Sequence, residues 1–206
     1  MDILLYSIFL SAFSIASFLS YYQDFYTNQK YIQKTISKLD LWNIYRKCCV
    51  LVCFNVFVII PLIMCLPFYK ILQPFNYYHI LHIPISSFLV DFSFYFYHYL
   101  FHQPFLYKFH KVHHQIKRPI CISALYLHPI DLIFGNILPL FLPIFILQSS
   151  YEILCIWTFI TVFETVYCAH SGMEGRGNEH DKHHKYFVCN YGSGFYICDK
   201  LLKTYL

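Results

Sequence analysis

Three short stretches carry most of the chemistry this chain could perform. Residues 98–102 read HYLFH, residues 110–114 read HKVHH and residues 180–184 read HDKHH. The chain has 12 histidines, and ten of them lie from His98 to His184. Imidazole is a ligand for zinc, copper, iron and nickel alike. Residues four apart share a helix face, so His98 and His102 can reach one ion. His110 and His114 stand in the same relation, as do His180 and His184. His113 and His183 are displaced round the helix from those pairs. Each triplet can therefore give two rings to one ion and one ring to a neighbour, and two triplets facing each other would hold two ions. With His98, His102, His128 and His170 the predicted ligands are His98, His102, His110, His113, His114, His128, His170, His180, His183 and His184. That set suffices for two five-coordinate ions. Structural zinc takes four ligands and favours cysteine, so an all-imidazole pair at a membrane surface suits redox iron able to activate dioxygen.

Carboxylates near metal-binding histidines commonly orient the rings. Asp91 lies seven residues before His98, on the same helical face, and an acid inside a membrane segment is a functional candidate. Its alternative role is to be satisfied by a neighbouring helix. Glu164, six residues before His170, and Asp181, inside HDKHH, are the other two candidates. HExxH is absent, which argues against a zinc hydrolase with a carboxylate base.

The elements that must position these residues are apolar. Hydrophobic residues make up 58% of the chain and charged residues 13%, a balance that points to a membrane rather than to a soluble domain. Five stretches, at roughly 3–22, 48–69, 80–101, 132–148 and 153–169, are apolar enough to cross or enter a bilayer. The last two are short, the fourth carries Pro139 and Pro143, and the pair reads as a hairpin that penetrates part way. The first stretch lacks the basic start and small-residue cleavage site of a signal peptide. Of the fifteen lysines and arginines, Lys70 alone falls on one side if all five stretches reach across. Lys30, Lys34, Lys38, Arg46, Lys47, Lys108, Lys111, Lys117, Arg118, Arg176, Lys182, Lys185, Lys200 and Lys203 fall on the other, together with the histidine stretches. The positive-inside rule makes that side cytosolic. Nine cysteines without a Cys-x-x-Cys frame, with Cys48, Cys49, Cys53 and Cys65 in an apolar run, read as small buried hydrophobes in a reducing setting. A net charge of +4 gives a nucleic-acid partner little support. The expected fold is an all-α integral membrane helical bundle of four to five membrane segments, one domain over 1–206, with a cytosolic histidine-rich cap for two metals.

The order HxxxH, HxxHH, HxxHH resembles the membrane fatty acid hydroxylase/sterol desaturase superfamily of non-haem di-iron enzymes, over roughly residues 85–206 and after N-terminal membrane helices in 1–84. Finer features resemble its methylsterol monooxygenase branch: FLYKFHKVHH, ALYLHPID, ETVYCAHSG and NYGSGFYICDKLLKT. The chain departs from that branch in a short connection between HSG at 170–172 and His180, and in Glu179, Cys198 and Lys203, where histidine, tryptophan and glycine are usual. The resemblance implies two iron ions, O2 as co-substrate, and electrons from NAD(P)H through a separate donor such as cytochrome b5. It implies a membrane lipid substrate, first a 4-methyl sterol and otherwise an acyl lipid to be hydroxylated or desaturated, and an endoplasmic reticulum membrane in a eukaryotic cell. A membrane metal-binding protein without catalysis is the reading of another class.

Overall fold

The computed structural model describes residues 1–27, 31–33 and 37–206; Lys30 and Lys34 of the basic set lie outside the described residues. Helices account for the architecture, and among the described residues the only β pairings are two isolated bridges, Tyr31 with Met173 and Gln73 with Ser150. Four helices are long and apolar enough to cross a membrane: α1 (Ile3–Tyr26), α2 (Lys38–Ile63), α3 (Tyr77–Phe101) and α6 (Tyr151–Ala169). Between α3 and α6 lie the short α4 (Pro104–His110) and the apolar α5 (Asp131–Ile146). The chain closes with α7 (Asn178–Tyr186) and α8 (Ile197–Leu201).

Helix starts follow from caps. Asp2 accepts a hydrogen bond from the Leu5 amide at 3.0 Å and opens α1. Ser37 accepts from the Asp40 amide at 3.1 Å and opens α2. The second helix therefore begins at Lys38, not near residue 48. Lys38, Asp40, Asn43, Arg46 and Lys47 make its first turns too polar to register as apolar, yet all are compatible with a capped helix.

The bundle has two ends. At one end Asp2, Met64, His82, Ser149 and Tyr151 meet: the Asp2 amide donates to the Met64 carbonyl at 2.9 Å and the Tyr151 hydroxyl to Asp2 at 2.7 Å. At the other end stand His98, His110 and His170. Helix α5 joins them. It starts beside His110 through Asp131 and is followed by Ser149, which accepts from the Gln73 amide at 3.1 Å. The α5–α6 hairpin thus reaches from end to end although α5 is short. Pro143 has no N–H to give the carbonyl of Pro139, and the Ser93 hydroxyl of α3 donates to that carbonyl at 2.8 Å. Trp157 of α6 donates to the Leu140 carbonyl at 2.8 Å. These bonds seat a proline-bearing helix between two others at low cost.

Helix α1 packs on α6 through Ala12 and Ala16, both fully buried, whose small side chains allow close approach. Phe9 of the same face enters an apolar core with Val52, Val56 and Ile60 of α2, and Leu5 a second one with Val90 and Phe94 of α3 and Leu154 and Trp157 of α6. Asn55, fully buried in a π-helical turn of α2, donates to the carbonyls of Leu125 and Leu127 at 2.9 and 2.8 Å. That clamp holds the segment leading from the second histidine stretch to Asp131. The nine cysteines are all free, but of the four in the apolar run only Cys48 is buried as expected; Cys49, Cys53 and Cys65 lie on the exposed outer surface, because an apolar segment in a membrane can turn small apolar side chains outward.

Candidate metal centre

The last turn of α3 presents His98 and His102. The HKVHH stretch is not one α-helix: α4 ends at His110, and a 3-10 turn over His113–Gln115 carries the other two rings. Bonds from Val112 to Phe109 and from Gln115 to Val112 tighten this passage, and His110 and His114 still face the same way. His170 follows the π-helical turn Glu164–Ala169 that ends α6. Helix α7 carries His180, His183 and His184.

Nine imidazoles fall into two groups. His98, His102, His110, His114 and His183 form one, and His113, His170, His180 and His184 the other, with the ligand atoms of each group within 4.8 Å of one another. Each triplet is divided, two rings to one group and one to the other. In the first group neighbouring Nε2 atoms stand 3.0–3.2 Å apart. In the second they stand 2.9–3.2 Å apart. Ligand nitrogens about 2.1 Å from one ion and at right angles to each other would be about 3.0 Å apart.

The other ring nitrogens decide what those short distances mean. Nδ1 of His98 lies 2.8 Å from the Tyr191 carbonyl, of His183 2.7 Å from that of Cys189, of His184 3.0 Å from that of Ile116, and of His170 2.8 Å from that of Thr165. A carbonyl only accepts, so each of these Nδ1 atoms carries the proton. His110 donates from Nδ1 to Asp131 Oδ2 at 2.8 Å. Burial pushes the pKa of His110, His113, His114, His180, His183 and His184 well below the ordinary value, and neighbouring rings act in the same direction. Burial lowers His170 to about 4, and burial with His98 lowers His102 to about 2. Neutral rings with protonated Nδ1 turn Nε2 lone pairs toward one another, an arrangement that repels itself unless a cation lies between them. The donor set fits two metal ions.

The remaining candidates take other places. His128 belongs to neither group: its ring packs 4.9 Å from that of Phe109, and its Nδ1 accepts from the Ile130 amide at 3.2 Å. Asp91, fully buried, accepts from the amides of Ile197 and Cys198 at 2.8 and 3.1 Å, so it caps α8 and orients no imidazole. Asp181 accepts from Gln33 at 3.1 Å, and Glu164 is exposed beside Cys168. The carboxylate that does hold a histidine is Asp131. Its signal lay in ALYLHPID, whose final position is acidic in the methylsterol monooxygenase pattern too. Gly135 makes room for it, since a Cβ there would collide with the Asp131 carboxylate.

The family model for Fatty acid hydroxylase matches residues 83–204, more than half of the chain. The chain belongs to the fatty acid hydroxylase family. The C-4 methylsterol oxidase of Schizosaccharomyces pombe is 31% identical over 59% of this chain and 46% of its own length. Methylsterol monooxygenase 1 of Rattus norvegicus is 35% identical over 53% of this chain and 41% of its own. A Delta(7)-sterol 5(6)-desaturase of Aspergillus fumigatus is 30% identical over 65% and 40% respectively. The matched part is thus less than half the length of each of these relatives. No solved structure matches the chain.

In this member of the fatty acid hydroxylase family the short connection before His180 still delivers α7. Gly172, Gly175 and Gly177 all have positive φ, and at Gly177 a Cβ would lie 2.5 Å from the Ala169 carbonyl oxygen. Glycine lets the chain turn against the end of α6 and start α7 at once. Beneath the histidines lies a cavity of about 30 Å3 lined by rings of both groups, His98, His110, His113, His170 and His180. Two larger spaces adjoin it. A cleft of about 450 Å3 between α3 and α6 is lined by Val90, Trp157, Ile160 and the 193–196 segment. A narrow apolar cavity of about 110 Å3 runs between α1, α2, α5 and α6.

Proposed function

We propose that the chain is a non-haem di-iron membrane oxygenase that acts on a lipid C–H bond, first on a 4-methyl group of a sterol. The observation that supports it most is the pair of converging Nε2 groups above a cavity that shares its walls with apolar space. The names of the relatives add the substrate class. His98, His102, His110, His114 and His183 would hold one iron, and His113, His170, His180 and His184 the other. Iron bound there would supply the redox chemistry by which dioxygen is activated for insertion into a C–H bond. The protein's own part is to hold neutral rings, with Nδ1 of His98, His170, His183 and His184 fixed by backbone carbonyls and that of His110 by Asp131, and to bring the lipid to the roof of the cleft. Electrons come from NAD(P)H through a separate donor such as cytochrome b5. Lys108, Lys111, Lys117, Lys182 and Lys185 surround the histidine end, so the positive-inside rule favours a cytosolic site, in an endoplasmic reticulum membrane in a eukaryotic cell.

The desaturase among the relatives supports a second reading, removal of hydrogen instead of insertion of oxygen, on the same ligand set. One experiment separates these. The chain is expressed in a strain lacking its methylsterol oxidase, with His98→Ala as control, and sterols and acyl chains are profiled. Loss of accumulated 4-methyl sterols with the wild type alone supports the first reading. New double bonds or hydroxyl groups in other lipids replace it with the second. Two bound metals without any lipid change would leave a metal-binding protein.

A further inference from the structure

The three cavities meet at two residues. Leu140 and Thr165 line all of them, and Ser193 lines both the cleft and the space beneath the histidines. The serine and threonine hydroxyls elsewhere in these walls are occupied. Ser87 donates to the Ile83 carbonyl at 3.1 Å, Thr158 to that of Leu154 at 2.8 Å and Thr161 to that of Trp157 at 2.8 Å. Thr165 and Ser193 are half-buried, and among the described residues neither hydroxyl has a hydrogen-bond partner. For Thr165 the cause is local. It lies in the π-helical turn, where the widened register displaces the carbonyl a threonine normally uses, while its own carbonyl holds His170.

We propose that Thr165 and Ser193 read an oxygen substituent of the substrate, gripping a hydroxyl on the carbon next to the one to be oxidised. This rests on the sterol reading above and deepens it. Two half-buried hydroxyls at the edge of apolar space can donate to and accept from an alcohol, and leaving them unmatched costs affinity. In a 3-hydroxy-4-methyl sterol the alcohol and the methyl group sit on adjacent ring carbons. Placing the methyl under the histidines therefore puts the alcohol within reach of the cavity wall, with the ring body in the cleft beside Val90, Trp157 and Ile160. The charged residues of the cleft sharpen the choice. Glu164 and Glu179 line it and no lysine or arginine does. A carboxylate at this point would be repelled, whereas a neutral alcohol is not.

The test is equilibrium binding to the full chain in detergent. The probes are a radiolabelled 3-hydroxy-4,4-dimethyl sterol, its 3-deoxy analogue and a long-chain fatty acid, and metal per chain is measured in parallel. The wild type is expected to prefer the hydroxy sterol to the deoxy analogue by tenfold or more on the order of one or two hydrogen bonds. Thr165→Val and Ser193→Ala should each reduce that preference about fivefold, with metal content and deoxy-sterol binding unchanged, and Thr165→Ser should restore it. Variants that keep the wild-type preference, or that lose all three probes together, overturn the assignment of these two residues. A wild type that binds the fatty acid and no sterol overturns the sterol reading itself, and this inference with it.

Discussion

Buried histidines occur at both ends of this bundle, but they use their nitrogens differently. At the far end His79 is buried, and its Nδ1 accepts from the Asn76 amide at 3.2 Å, which caps a helical turn. His82 pairs its Nδ1 with the Ser149 hydroxyl at 2.8 Å and ties α3 to the α5–α6 corner. Their rings lie 5.0 Å apart, no farther than many rings of the two histidine groups at the opposite end. Neither aims Nε2 at a shared point with other rings. At the opposite end Nδ1 of His98, His110, His170, His183 and His184 is spent on backbone carbonyls or Asp131, and Nε2 converges. Burial and proximity alone therefore do not distinguish a structural imidazole from a ligand; the direction of the second nitrogen does.

The largest test of that difference removes one ring at each end. His183→Ala and His113→Ala should each empty or weaken one metal position, lower metal per chain from near two toward one, and reduce lipid turnover by more than about a hundredfold, the upper effect of losing a supporting partner alone. His82→Ala should leave metal content unchanged and cost stability only, read as a lower thermal midpoint. Equal metal loss from His82→Ala would erase the comparison.

A second test moves one atom outward. Asp131 fixes the proton of His110 on Nδ1, and both groups are buried. Asp131→Ala should weaken metal binding about 10- to 100-fold, measured by chelator competition. Gly135→Ala should produce a milder form of the same defect, because its methyl displaces the Asp131 carboxylate without removing it. If Asp131→Ala binds metal as the wild type does, the carboxylate is a helix-end feature and no support for His110.

How far these roles could be read from the sequence depended on the length of the signal. Spacings of four within HYLFH, HKVHH and HDKHH contain their own geometry, and the divided allegiance of each triplet follows from 100° per residue. That held even where HKVHH broke into an α-turn and a 3-10 turn, since both bring residues 110 and 114 to one side. Membrane helices were visible through hydropathy, but the start of α2 was not, because a capped polar turn looks like a loop to an apolar scan. Asp91 and Asp131 show where sequence runs out. Both are buried acids near the histidines in the chain, and only tertiary contacts separate the one that caps α8 from the one that holds His110.

A smaller effect is expected at the turn that replaces the longer connection of the methylsterol pattern. Gly177→Ala places a side chain at positive φ against two carbonyls of α6. The strain costs about 1–3 kcal/mol, and it falls on the start of α7. Metal held by His113, His170, His180 and His184 should be released before that held by the other group, a difference that stepwise chelation can read. Simultaneous release of both metals would show that the groups form one cooperative unit.

The smallest effect is predicted for His128, and it bears most directly on the comparison between ends. Sequence position places this ring among the ligands, inside LYLHPID and three residues before Asp131. The structure gives it the far-end pattern: Nδ1 accepts from the Ile130 amide, the ring packs on Phe109, and the residue is only half-buried. His128→Ala should therefore leave metal per chain unchanged. It removes one partly exposed capping bond and one aromatic contact, each worth about 1 kcal/mol. His128→Asn should recover part of the loss, because its side-chain oxygen can accept from the same amide, whereas an asparagine in place of a true imidazole ligand would not restore a metal. If His128→Ala instead releases a metal, the ring swings into the site when the ion is bound, and the direction of Nδ1 in the absence of metal is no guide to its role.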